Sequence, residues 1–232
     1  MKLAIMQPYF LPYIGYFQLI DSVDLFVIYD DVNYIKKGWI NRNNILLGNK
    51  PHLFSLPLQS ASQNKYINET QLDANPAWKP NLLKTIQQAY RKAPFFDTVF
   101  PLLEAIVGYE EQNLARFCAH SLQKTSNYLQ LATRFVNSSE IQKDEFLKGQ
   151  DKILEIGKKL HATTYINAIG GMELYDSEAF SNAGIALHFL KTNPITYRQF
   201  KAEFIPWLSI IDVLMFNDIA QTKALLQQKE LI

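Results

Sequence analysis

The stretch Leu3-Ala4-Ile5-Met6-Gln7-Pro8-Tyr9-Phe10-Leu11-Pro12-Tyr13-Ile14-Gly15-Tyr16-Phe17-Gln18-Leu19-Ile20, with Asp24-Leu25-Phe26-Val27-Ile28-Tyr29-Asp30 after it, decides the fold class. Leu3 to Met6 is an apolar run broken by Gln7-Pro8, which reads as a short buried strand. Ile14 to Ile20 reads as a helix, and Asp24 to Asp30 as a second buried strand. Strand, helix and strand in this order form a βαβ unit with a short crossover. Such strands run parallel, and the loops after their carboxyl ends share the edge where α/β sheets take ligands.

Working outward, Asp30 to Asn43 is a polar stretch with interleaved aromatics. Pro51 to Leu58 reads as a strand, Tyr66 to Leu72 as another, and Pro80 to Lys92 as a helix. From Phe95 to Asn137 apolar residues recur at helical spacing, as in Leu102, Leu103, Ile106 and Tyr109, then Leu114, Phe117, Cys118 and Leu122. Gln150 to Leu160 follows as a helix, Thr164 to Asn167 as a strand, Gly170-Gly171 as a turn, and Ala186 to Leu190 as a strand. Ser209 to Phe216 opens a terminal helical region. The expectation is one α/β domain over residues 1–232, a Rossmann-like parallel sheet with a helical section over about 76–160.

A chain of 232 residues, 48% hydrophobic and 19% charged, has the composition of a folded domain. Its 23 Lys and Arg balance 22 Asp and Glu, so no global field draws it to nucleic acid or to anionic lipid. The one cysteine, Cys118, has no partner for an intrachain disulfide and sits at a core position of a helix. Gln7, Pro8 and Pro12 interrupt the amino-terminal apolar run before it can serve as a signal peptide, and no run approaches the roughly 18 residues of a membrane span. The expected compartment is the cytoplasm.

Three groups of residues are candidates for chemistry. Around the first loop, Gly15 permits close approach at a helix start whose free N–H groups suit a phosphate or carboxylate, and Gln7 stands at a strand end. The layout resembles nucleotidylyltransferases and class I synthetases, with Tyr13-Ile14-Gly15-Tyr16 in place of their His-x-Gly-His element. Tyr13 and Tyr16 either contact the ligand or pack the helix on the sheet.

The second group is Asp30 and Asp31 with Lys37, Trp39, Asn41, Arg42 and Asn43. Adjacent carboxylates at a strand end suit amine recognition, metal binding or base catalysis, and Arg forks onto carboxylate or phosphate. Asp31, Arg42 and Lys37 are the expected catalytic residues. Trp39 is either a platform for a base or sugar or a core plug beside Ile35 and Ile40. The third group is Asn167, Gly170 and Gly171, a second backbone cradle, with Gln150, Tyr175, Tyr197, Gln199 and Asp212. Asp212 either meets ligand or caps and pairs at its helix start.

His52, His120, His161 and His188 are scattered without metal-ligand spacing, and no metal site is expected. Neither a Gly-x-Ser-x-Gly elbow, a Walker loop nor a Gly-x-Gly-x-x-Gly fingerprint is present.

The chain resembles the WbqC-like family in Gln7 to Phe17, in Asp24 to Val27 and Asp30-Asp31-Val32, and in Asn41-Arg42-Asn43. The resemblance continues through Tyr90 to Phe96, Ala162 to Ile166 and Phe204 to Asp212. It implies bacterial surface polysaccharide and O-antigen biosynthesis, with transfer of glycine or another acyl group to an amino sugar. The expected partner is a small molecule, a nucleotide-linked amino sugar. ATP with Mg²⁺ is the cofactor pair that an adenylate route would call for. Nucleotidyl transfer and non-catalytic sugar-nucleotide binding are the alternative readings.

Overall fold

The computed structural model describes residues 1–200 and 203–232. Strand β1 (Lys2–Met6) leads through the Pro8–Tyr13 loop into helix α1 (Ile14–Asp21) and strand β2 (Leu25–Ile28). β1 and β2 pair parallel in the register Leu3↔Leu25 to Met6↔Ile28, as the opening stretch predicts. Ala4, Phe26 and Ile28 join one apolar cluster, while Leu3, Ile5, Leu25 and Val27 join another. Alternate side chains thus enter cores on opposite faces. Both faces being covered, the strands read as continuous apolar runs.

Next come the hairpin β3 (Arg42–Leu47) and β4 (Lys50–Ser55), and the short pair β5 (Leu58–Gln59) and β6 (Gln71–Leu72). The polar stretch read over Asp30 to Asn43 therefore ends inside a strand, which opens at Arg42. Gly48 and Asn49 have φ of 59° and 60°, the two left-handed positions of a tight hairpin turn. The strand expected over 51–58 breaks before Pro57, and that expected over 66–72 is a 3-10 turn followed by β6.

Helices α2 (Trp78–Tyr90), α3 (Phe96–Gly108) and α4 (Leu114–Tyr128) form the helical section. It ends earlier than predicted, because Arg134–Asn137 is strand β7, paired parallel with β2 at the sheet edge. Four residues are too few to show a period of their own after a long helical pattern. Helix α5 (Gly149–Lys159), strand β8 (Thr164–Ala168), helix α6 (Ser177–Asn182) and strand β9 (Ala186–Thr192) return to the sheet. Helices α7 (Ile210–Phe216) and α8 (Ile219–Leu226) precede β10 (Lys229–Leu231), which pairs antiparallel with β9.

The six-stranded sheet runs β10-β9-β8-β1-β2-β7, parallel apart from β10. From β1 the chain winds outward through β2 and β7, then reverses to β8, β9 and β10. Helices α5 and α6 supply Ile153, Ile156 and Phe180 to one face; α1, the helical section and α7 cover the other. Gln18, buried in α1, donates to the carbonyls of Leu225 and Gln228 at 3.0 Å each and ties α1 to the end of α8.

Asp212 in α7 is 0% exposed. Its carboxylate accepts from Tyr90 Oη at 2.8 Å, Tyr197 Oη at 2.6 Å and Gln199 Nε2 at 2.7 Å. Burial pushes its carboxyl above the ordinary range, and the three donors oppose that rise. Tyr90 Oη also accepts from Leu46 N at 2.8 Å, so the network joins α2, β3 and the strap between β9 and α7, of which residues 193–200 and 203–209 are described, to α7. Asp212→Ala leaves three buried donors without their acceptor. We expect a loss of about 3 kcal/mol or more, read as a lower urea midpoint, with a smaller loss for Asp212→Asn.

Candidate functional site

The strand order reverses between β1 and β8, and the crevice beyond the carboxyl ends of strands at such a point is where open α/β sheets take ligands. Gln7, directly after β1, lies there with its side chain partly buried. Its carbonyl accepts from Tyr16 Oη at 2.7 Å. Tyr16 is 3% exposed, so it latches α1 to the strand end and is turned away from ligand.

Beside this point lies an aromatic cleft. Two cavities of about 350 and 250 Å³ share Tyr13 and Trp207, whose ring centroids are 5.9 Å apart. The smaller is also lined by Tyr9, Trp39 and Asn43; the larger runs from Ile14 and Thr192 along the strap. Trp39 and Trp207 are 47% and 68% exposed, so neither is a core plug. Trp207 has φ of 62°, Leu11 44° and Lys37 60°. Left-handed backbone at non-glycine residues is costly and persists where the surroundings impose it, characteristically at functional sites.

At Leu11 the imposing groups are visible. Its carbonyl accepts from Asn43 Nδ2 at 2.9 Å and from Ser209 Oγ at 2.7 Å, fastening the first loop to β3 and to the start of α7. Asn41 is also a fastener: Oδ1 accepts from Tyr34 Oη at 2.9 Å and Nδ2 donates to the Leu56 carbonyl at 2.8 Å. Gly15 does not present an open helix start. A Cβ there would lie 2.4 Å from the Tyr13 ring and 2.6 Å from Thr192 Oγ1, so glycine is required for Tyr13 to lie flat on α1 as the wall between the cavities.

The charged residues expected to meet are separated. Arg42 lies over Trp39, 5.6 Å from the ring centroid, and donates to the carbonyls of Gly38 and Lys37. Lys37 itself is exposed. Asp30 is buried and receives Ser139 N at 2.9 Å and Ser139 Oγ at 2.6 Å, clamping the end of β2 to the turn after β7. Asp31 pairs with Lys143 at 2.8 Å and Lys152 at 3.1 Å, beside a cavity of about 630 Å³. Burial pushes its carboxyl up, but Lys143, Ser138 and Lys152 outweigh that and hold it below the ordinary range. Lys152 also lies 5.0 Å from the Tyr29 ring, and burial followed by Asp31 and Tyr175 raises the Tyr29 phenol. Lys143 and Lys152 escaped the sequence reading because their link to Asp31 spans more than a hundred residues.

The third group divides. Asn167 Oδ1 accepts from Ala168 N at 2.8 Å, and a Cβ on Gly171 would lie 2.6 Å from Asn167 Nδ2, whereas Gly170 is open. Tyr175 Oη lies 3.1 Å from Tyr165 Oη, and Gln150 accepts from Asp176 N. Asp212 and Gln199 are spent on each other and face inward; Tyr197 lines the larger cavity with its ring while its hydroxyl serves Asp212. Trp207, Tyr9 and Thr192 were not singled out as site residues. An exposed tryptophan next to Pro206 is the one local signal that could have found the strap.

Among the described residues no His, Cys, Asp and Glu cluster could hold a metal ion, and no helix is long and apolar enough to cross a membrane. The model of the WbqC-like protein family matches residues 7–224. An uncharacterized protein of Mycobacterium tuberculosis is 29% identical over 220 residues, which cover 93% of either chain. No solved structure matches.

Two outcomes check this geometry. Gly15→Ala should displace Tyr13 and cost about 1–3 kcal/mol by overpacking, measured by thermal unfolding. The Asp31 carboxyl is lower in the fold than its ordinary 3.8, so its ion pairs stabilise above that pH and are lost as pH falls through the folded value. Asp31→Asn should lower stability at neutral pH and flatten the loss of stability below about pH 4, followed by acid unfolding.

Proposed function

The chain belongs to the WbqC-like protein family, and on that premise we propose that it transfers an aminoacyl or acyl group, such as glycine, to the amine of a nucleotide-linked amino sugar in the assembly of bacterial surface polysaccharide. The observation that carries this reading is the aromatic cleft at the carboxyl edge of the sheet, with Trp39, Tyr13 and Trp207 presenting ring faces. Sugar rings offer apolar C–H faces to aromatic planes and polar edges to groups such as Asn43 and Arg42. Counted along the chain, the sheet strands run third-second-first-fourth-fifth-sixth, which supports a Rossmann-like, nucleotide-binding reading of the switch point beside Gln7.

In the proposed reaction a donor carboxylate displaces pyrophosphate from ATP, the step that calls for Mg²⁺, and the sugar amine then attacks the carbonyl carbon of the resulting acyl adenylate. The new C–N bond forms, the bond from carbon to the phosphate oxygen breaks with its electron pair, and AMP and one amine proton leave. Asp31 is paired with two lysines beside another cavity, so this reading gives it no step in the transfer. Arg42 and Lys37, at the Trp39 rim, are the cations for the donor phosphate. The internal partners of Asp31 and Arg42 favour a second reading, a sugar-nucleotide binder without turnover.

The test incubates the purified protein with ATP, Mg²⁺, a panel of amino acids and carboxylic acids including glycine, and amino-sugar nucleotides, followed by mass spectrometry of the sugar. An acylated sugar with AMP release is expected. Pyrophosphate leaves on either route, so a nucleotidylated sugar without AMP would mean nucleotidyl transfer, and unaltered ligand after tight binding would favour the binder. Trp39→Ala should raise KM for the sugar about tenfold with a smaller change in kcat, as loss of one stacking face implies.

A further inference from the structure

We infer that the larger cavity beside Tyr13 holds the apolar tail of the transferred group, so that the donor carries a medium-length aliphatic acyl chain and not glycine. This rests on the acyl-transfer reading and narrows its donor class. The cavity of about 350 Å³ lies between the end of β9, the start of α1 and strap residues 193–197, 204 and 206–208. Its walls are Ile14, Ile195, Phe204, Leu208, Val213 and the Trp207 ring. None of its described lining residues is charged, so nothing there answers the ammonium or carboxylate of an amino acid.

The surface it offers is mainly apolar, with Thr192, Asn193 and Thr196 also among its lining residues. Tyr197 donates its hydroxyl to Asp212 at 2.6 Å, which spends that group internally. A nucleobase needs free donors and acceptors along its edges, whereas an alkyl chain needs only surface to displace water from. Val213 is 2% exposed and Leu208 5%, so the deep end is shaped by packed aliphatic side chains of α7 and its approach. Toward solvent, the left-handed backbone of Trp207 holds its indole against Tyr13, on the wall shared with the Trp39 cavity. A tail in one cavity and a sugar in the other would thus lie on opposite sides of one aromatic partition, with the acyl carbon near its rim.

Titration calorimetry of the full chain with straight-chain carboxylates from acetate to palmitate tests this without requiring turnover. Affinity should rise roughly fourfold per methylene until the cavity is full and then level off. Ile195→Phe, on the strap, should move the plateau to shorter chains while leaving the short acids unchanged; Val213→Phe should do the same from the deep end. Affinity independent of chain length in the wild-type protein overturns the inference, as does adenosine or uridine binding that Ile195→Phe abolishes. Transfer of glycine alone, unaffected by Ile195→Phe, also overturns it while sparing the acyl-transfer reading. Chain-length-dependent binding with no acylated sugar from any donor sustains the inference and sinks that reading.

Discussion

A carboxylate shut away from water holds the cleft together. Asp212 takes hydrogen bonds from Tyr90, Tyr197 and Gln199, donors that come from two parts of the chain far apart in sequence. Tyr90 comes from the helical section, and Tyr197 and Gln199 from the chain that follows β9. A carboxyl group buried in this way is tolerable only when its hydrogen-bonding capacity is filled, so the donors and the acceptor hold one another in place. Gln199 passes the constraint on by exchanging hydrogen bonds with the backbone of Ile205, two residues before Trp207.

The same logic governs the first loop. Leu11 is bent into left-handed backbone so that one carbonyl can receive both Asn43 and Ser209. That single oxygen joins β3, the Pro8–Tyr13 loop and the amino end of α7, the three pieces that frame the partition between the two cavities. Charge is arranged separately: Asp31 with Lys143 and Lys152 lies by the carboxyl ends of β2 and β7, while Arg42 rests on Trp39.

Much of the fold was legible because its centre is built from residues with no choice of environment. Leu3 to Met6 and Leu25 to Ile28 are apolar on consecutive positions, which only a strand covered on both faces accommodates. The start of α1 and the strand at Thr164 were legible for related reasons. Short elements were not. β7 and β10 owe their existence to the strands beside them, and β3 to a Gly48-Asn49 turn whose meaning depends on two flanking segments closing into a hairpin.

For the site, sequence alone determined that polar and aromatic residues cluster after the first two strands, since chain order places those loops on one edge. Only the tertiary structure decided what each of them faces. Asp31 meets lysines more than a hundred residues away, Asp212 turns inward, Gly15 lies under Tyr13, and Trp207 joins Tyr13 across most of the chain. Strand identity follows from local apolar runs, but whether a polar side chain is spent internally or left free depends on partners brought up by long-range packing, and no local pattern carries that information.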